Sequence, residues 1–286
     1  MLARVEPRRA QKSESMLPNF LVIGAARSGT TWIEKNLRAH PDVFLPARKE
    51  LHFFDRDYAK GIQFYAAYFA EWSGQKAIGE ASPDYLSASP PGYDIPALIS
   101  QHLPGVRLIA SLRNPVDRVY SRFWNSKAKF DRNAELSFEQ KLLEKPEFLD
   151  EGRYADHLQR YFRTVSRERV LVLLYDDLVA DGRDFMRRIY EFLAIDPDVA
   201  TGFEGVRMNA AEGKGNLARS KPLWRAARAL NRIGARRLAE RLRAKNSLPL
   251  PAMSESTRRR LIEHYRPHNE HLARLIQRDL SAWNRP

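Results

Sequence analysis

The 286-residue sequence predicts an α/β fold: a central, mainly parallel sheet flanked by helices, with a helical C-terminal extension. Three observations carry that expectation. Short apolar runs of strand length recur at 20–23, 106–112 and 169–174. Segments with apolar residues at helical spacing stand between them, and strands that alternate with helices pair in parallel. The first run ends in a small, glycine-bearing turn that opens directly into a helical pattern.

Taken in order, 20–23 (FLVI) reads as a buried strand ending at Gly24. Residues 25–29 form the turn, and 30–39 a helix with Trp32, Ile33 and Leu37 on one face, stopped by His40-Pro41. Residues 57–70 place Ile62, Tyr65, Ala66 and Phe69 on a helical face. A short buried strand is expected at 77–79, then a helix at 95–102 with Pro96 in its first turn. The clear strand at 106–112 leads into a helix beginning at Pro115. Helices at 153–165 and 182–193 flank the strand at 169–174. No internal repeat and no Gly/Ser linker divides the chain, so 17–286 is expected to be one domain, with 207–250 a basic helical segment and 254–286 a closing helix.

Composition narrows the function. Hydrophobic residues make up 43% of the chain, enough for a sizeable core, and no run approaches the roughly 18 apolar residues of a membrane-spanning helix. Residues 1–16 are polar and charged, without the apolar stretch of a secretory signal, and read as a flexible tail on a cytoplasmic protein. Cysteine is absent, which excludes disulfides, a catalytic thiol and cysteine-bound metal. The scattered histidines show no zinc-site spacing, so no metal is expected. Lysine and arginine number 48 against 35 acids, a net charge of +13 that calls for an anionic partner. Residues 207–245 alone hold 12 cations and two acids, with Leu223, Ala227, Leu230, Ile233, Leu238 and Leu242 at roughly helical spacing. Such a segment lies on an anionic membrane, grips a polyanion, or is a surface helix with its stripe on the core.

The sharpest signal is Gly24-Ala25-Ala26-Arg27-Ser28-Gly29-Thr30-Thr31 between strand and helix. Backbone N–H groups in such a turn, with the positive end of the helix dipole, make an anion cradle. The G-x-x-x-x-G spacing is that of a P-loop, which makes the expected three-layer fold P-loop-like, yet Thr-Thr follows where an ATP-binding loop has Lys-Ser/Thr. A cation inside the loop, Arg27, stands in for it. A second cationic site follows the 106–112 strand: Arg113-Asn114-Pro115, then Arg118 and Ser121. Arg113 sits at the C-terminal end of a sheet strand, where open α/β sheets bind ligands, and Ser121 lies about two helical turns on. Between the two sites runs Arg48-Lys49-Glu50-Leu51-His52-Phe53-Phe54-Asp55. In an extended segment Glu50 and His52 project to one side, a base with an orienting neighbour in either order.

These motifs resemble those of the sulfotransferase superfamily, whose donor is 3′-phosphoadenosine 5′-phosphosulfate (PAPS). The resemblance runs from about residue 20 to 283. It implies that Arg27, Ser28, Gly29, Thr30, Thr31 and Trp32 hold the 5′-phosphosulfate, with Arg27 near the bridging oxygen as a catalytic cation. It implies that Arg113 and Ser121 hold the 3′-phosphate, covered by a later loop with Lys214 and Arg219. The Glu50–Asp55 run is similar to the E-x-H-F-F-D pattern of the glycosaminoglycan branch (heparan sulfate 3-O- and N-sulfotransferases). That implies Glu50 as base, with His52 and Asp55 supporting it or touching the acceptor, and Phe54 and Tyr85 on the acceptor side. Ala81 stands where that branch carries lysine in Glu80-Ala81-Ser82-Pro83-Asp84-Tyr85, and the branch's disulfide is missing. Both point to a bacterial-type relative with a different carbohydrate or small-molecule acceptor and no nucleic-acid partner. The competing readings are a P-loop kinase, with Asp176-Asp177 as its magnesium-binding acids, and a nucleic-acid-binding module.

Overall fold

The computed structural model describes residues 16–130, 137–199, 217–218, 220–248 and 252–286. The sequence-predicted Lys214 and Arg219, and all of the N-terminal tail but Met16, lie outside these residues. Elements follow in chain order: β1 (Phe20–Gly24), α1 (Thr30–Ala39), β2 (Val43–Phe44), α2 (Ile62–Ala66), β3 (Ala77–Ala81), α3 (Ile95–His102), β4 (Arg107–Leu112), α4 (Pro115–Phe130), α5 (Phe138–Glu144), α6 (Tyr154–Phe162), β5 (Val170–Leu174), α7 (Tyr175–Ala180), α8 (Gly182–Leu193), β6 (Leu217–Ala218), α9 (Lys221–Arg232), α10 (Arg236–Asn246), β7 (Ser247–Leu248) and α11 (Glu255–Ile276).

The main sheet has the order β2-β3-β1-β4-β5 and every pairing in it is parallel. β1 lies at its centre, fully buried. A parallel sheet is covered on both faces, which is why its strands read as unbroken apolar runs. Val22, Ile33, Leu37, Ile109, Phe185 and Ile189 pack on one face. Leu21, Ile23, Leu108, Ile99, Leu158 and Tyr161 pack on the other. Three layers result. A third cluster joins α4 to α5 and α11 through Val119, Phe123, Phe138, Leu261 and Tyr265.

The differences from the sequence reading have local causes. The expected helix at 57–70 is broken into short turns around α2, because Gly61 at φ 81° interrupts it. β3 runs on through Glu80 and Ala81, where a buried glutamate breaks the apolar pattern. β2 and α7 are too short to leave a period in the sequence. Pro267 stands inside α11, which stays continuous over 22 residues.

β6 and β7 pair as a small antiparallel ribbon at the base of the α9–α10 helical hairpin. Asn246 locks that base, accepting from Ser220 N at 2.8 Å and donating to Ser220 O at 2.9 Å. Among the described residues no helix is long and apolar enough to cross a membrane.

Candidate active site

The loop between β1 and α1 is tied to the end of β4: Ala25 N donates to Ser111 O at 2.8 Å, and Ser111 Oγ donates to Ser28 O at 2.7 Å. Gly29 sits at φ 87°, and a Cβ there would fall 2.7 Å from Leu178 Cδ2, so both conformation and space require glycine. Arg27, also left-handed at φ 73°, turns its side chain across the sheet end and donates from Nε to Ser121 Oγ at 3.0 Å. Burial, then the Arg113 and Arg122 cations close by, hold the Arg27 pKa below the usual guanidinium range. Arg113 lies over the Tyr175 ring at 4.8 Å. Three guanidinium groups therefore crowd beside the first turn of α1, whose leading N–H groups have no partner within the helix. Ser28 Oγ is buried there without a hydrogen-bond partner. This is the electrostatic shape of a polyanion site.

The Arg113-Asn114-Pro115 sequence explains itself at this junction. Asn114 Oδ1 accepts from Val116 N at 3.0 Å and caps α4, while Pro115 fills its first turn. Arg118 points the other way. It is 1% exposed and its Nη1 meets Glu151 Oε2 at 2.7 Å, so this arginine fastens α4 to the body. Arg122 is the cation that sequence reasoning missed: it bridges Asp84 at 3.1 Å and Glu151 at 3.6 Å. Its spacing of one residue from Ser121 was the available signal.

Opposite the loop, Glu50 and His52 both take left-handed backbone conformations, each at φ 55°. The segment is thus a tight turn and not the extended strand assumed above, yet it still brings the two side chains together. His52 Nδ1 lies 3.0 Å from Asp55 Oδ2, and Nε2 lies 3.7 Å from Glu50 Oε2. The second distance makes an ion pair rather than a good hydrogen bond. Asp55, then Glu50, raise the His52 pKa to about 9, so the ring is an imidazolium at neutral pH. Lys49 spans the two halves of the site, donating to Thr31 Oγ1 at 2.7 Å and lying 3.6 Å from Glu50 Oε1.

The turn rests on a buried polar cluster that the sequence did not signal. Glu80, 2% exposed, accepts from Ser82 Oγ at 2.6 Å, Tyr85 OH at 2.8 Å and Tyr65 OH at 3.1 Å. The backbone N–H of Leu51 donates to Glu80, that of His52 to Ser82 Oγ, and those of Phe53 and Phe54 to Tyr85 OH. Four consecutive amides are thereby satisfied by three side chains of one short loop. Burial pushes the Glu80 pKa up against these donors. The carboxylate set among aromatic rings is Glu80, whereas the Glu50 side chain is 41% exposed.

Three expected roles are corrected. Phe54 and Tyr85 are fully buried, with Phe54 packed edge-on to Tyr65 and Tyr85, so they build the core beneath the acceptor side. The Trp32 ring packs edge-on to Phe185, and its backbone N–H already donates to Gly29 O at 2.9 Å. His52, Asp55 and Asp84 bring ligand atoms within 4.8 Å of one another. Arg56 reaches Asp84 at 3.0 Å and Asp55 at 3.5 Å, so cationic side chains already neutralise that group.

A guanidinium-and-amide cradle at the C-terminal edge of a parallel sheet, faced by an acid–imidazole pair, defines an anion-binding protein of P-loop-like architecture. The chain belongs to the sulfotransferase domain family, which matches residues 17–209. It is similar to membrane-associated sulfotransferase kil1 of Dictyostelium discoideum, 36% identical over 141 residues that cover 47% of this chain and 29% of that protein. Human heparan sulfate glucosamine 3-O-sulfotransferase 6 is 26% identical over 92% of this chain and 72% of its own length. The mouse 3-O-sulfotransferase 3A1 is 28% identical over 64% of this chain and 47% of its own. The chain spans under half the length of several of these curated relatives. The crystal structure of a sulfotransferase from Alicyclobacillus acidocaldarius superposes with a TM-score of 0.69 at 25% identity, covering 94% of this chain and all of that one.

Proposed function

We propose that this chain is a PAPS-dependent sulfotransferase, acting as one domain over 17–286, whose acceptor is a hydroxyl or amine on a carbohydrate or other small molecule. The convergence of Arg27, Arg113, Arg122 and Ser121 on the first turn of α1 supports it most. The unpartnered, buried Ser28 Oγ fits a site made for a donor's oxygens. Arg27 and the amides of 28–31 would hold the 5′-phosphosulfate, and Arg113 with Ser121 the 3′-phosphate. When bound, the donor supplies the sulfuryl group and departs as 3′-phosphoadenosine 5′-phosphate.

The chain's own residues divide the rest of the work. Glu50 takes the proton of the acceptor group at its carboxylate. His52 already carries its proton at neutral pH, so it serves as a fixed positive charge that orients Glu50. Asp55 holds that ring from the far side. Arg27 supplies charge to the transition state in a partly buried setting, where such a contact is worth most. Lys49 sets the distance between Glu50 and α1. Arg56, exposed at the rim, offers a cation to an acidic acceptor in place of the lysine that Ala81 lacks. The absence of cysteine suits a reducing compartment, and the cytoplasm is the proposed location.

The kinase reading loses its acids: Asp176 Oδ2 accepts from Trp283 Nε1 at 2.6 Å, and Asp177 pairs with Arg188 and Arg278. Calorimetric titration with 3′-phosphoadenosine 5′-phosphate, against ATP with magnesium, tests the proposal. Preferential binding of the bisphosphate, abolished in Arg113→Ala, is expected. Preference for ATP with magnesium overturns it.

A further inference from the structure

The α9–α10 hairpin combines two properties that ordinary surface helices keep apart. Seven large hydrophobic side chains are exposed among the described residues, and four of them, Leu223, Trp224, Ile233 and Leu238, stand in this one hairpin. Single exposed apolar residues are common on protein surfaces and signify nothing, but their concentration in one element does. Six exposed arginines between Arg225 and Arg243, together with Lys245, accompany them, and Glu240 is the lone acid. The stripe expected to seal against the core does so only in part: Ala227 and Ala239 are buried, and Leu230 and Leu242 are half-buried. Ile233, at the turn between the helices, is 77% exposed, and Leu238 follows it one turn into α10 at 52%. Trp224 is 37% exposed with the Arg228 guanidinium 5.6 Å from its ring centre, an amphipathic pair of the kind favoured where water meets lipid.

We propose that this hairpin is a docking surface for an anionic phospholipid bilayer. The turn enters first, with Ile233 and Leu238 reaching below the headgroups and the flanking Arg232 and Arg237 meeting lipid phosphates. Charge complementarity selects a negative partner, and the exposed aliphatic side chains select lipid among negative partners. A sulfated glycan or a nucleic acid would satisfy the arginines and leave Ile233 and Leu238 in water. A bilayer satisfies both, because apolar insertion and attraction to anionic lipid add. Each arginine brought to the surface strengthens partitioning about fivefold. The inference is independent of the transfer chemistry, since none of these residues touches the loop, Glu50 or His52.

The test uses the full chain and two kinds of vesicle, phosphatidylcholine alone and phosphatidylcholine with phosphatidylserine, read by co-sedimentation and by the emission of its tryptophans. Binding to the anionic vesicles alone is expected, weakened by salt and weakened about tenfold or more by the double change Ile233→Asp and Leu238→Asp. An unchanged melting temperature shows that this surface double variant remains folded. The proposal is overturned if the anionic vesicles recover no protein, or if the double variant binds as tightly as the parent. It is equally overturned if heparin binds with the full salt dependence while the vesicles do not, which assigns the face to a polyanion. Concentration-dependent self-association lost in the double variant, without vesicle binding, assigns it to a second copy.

Discussion

Glu50 and His52 occupy the left-handed region, where non-glycine residues sit at a cost of the order of 1–3 kcal/mol each. Glu80, Ser82 and Tyr85 hold them there by absorbing the N–H groups of 51–54. Glu50→Gln keeps the shape and removes the proton acceptor, so the turnover rate falls by about 10²–10⁴ while binding of 3′-phosphoadenosine 5′-phosphate is unchanged. Steady-state kinetics with calorimetry on the same variant checks this. Glu80→Gln places an amide donor among groups that all donate. It is expected to cost about 1–3 kcal/mol in chemical denaturation and to lower the turnover rate without weakening bisphosphate binding, since the donor loop is untouched. His52 gives a signed pH dependence. Its pKa is raised in the folded chain to about 9 from an ordinary value near 6.5, so it stabilises the fold fully below pH 6.5. That stabilisation, at most about 3 kcal/mol, is lost as pH rises through 9. Denaturation midpoints from pH 6 to pH 10 should show the decline in the parent and lose it in His52→Ala.

The β4–α4 junction shows how one element serves two masters. Arg113 leaves the strand end toward the anion site, Asn114 caps the helix, and Arg118 turns inward to Glu151. α4 is further braced by Arg258, which reaches Asp117 at 2.8 Å from α11. Removing one partner of a buried ion pair typically costs about 3–5 kcal/mol, because the other charge is left behind. Arg118→Ala should therefore lower the denaturation midpoint by that amount, while the protein that remains folded binds 3′-phosphoadenosine 5′-phosphate as before. Intact stability with lost binding would move Arg118 from the scaffold to the ligand.

The C-terminal segment closes the molecule over the end of β5. Trp283 is buried, edge-on to Tyr154, and its Nε1–H donates to Asp176, while Arg278 clasps Asp177. The two acids at the start of α7 are thereby committed to the scaffold. Trp283→Ala is expected to cost about 3–5 kcal/mol, from the lost ring and the orphaned carboxylate together. Thermal melting measures it. The donor-site titration of the folded fraction should be unaffected, because the closure lies away from Arg27 and Ser121.

The strands β1, β4 and β5, the glycine-bearing loop and the cations Arg27 and Arg113 were legible in the amino-acid order, because each depends on residues that are neighbours in the chain. An apolar run long enough for a buried strand, and a turn that opens a helix, are local facts. The partnership of Arg27 with Ser121 spans 94 residues, and the support of the Glu50 turn by Glu80 and Tyr85 spans about 30. No local pattern announces that a glutamate in a strand will be buried, or that Phe54 and Tyr85 will pack beneath the site and not line it. Those outcomes follow from the order of strands in the sheet. Placing β1 between β3 and β4 sets the loops that follow all three strands side by side, and the charges they carry meet only there.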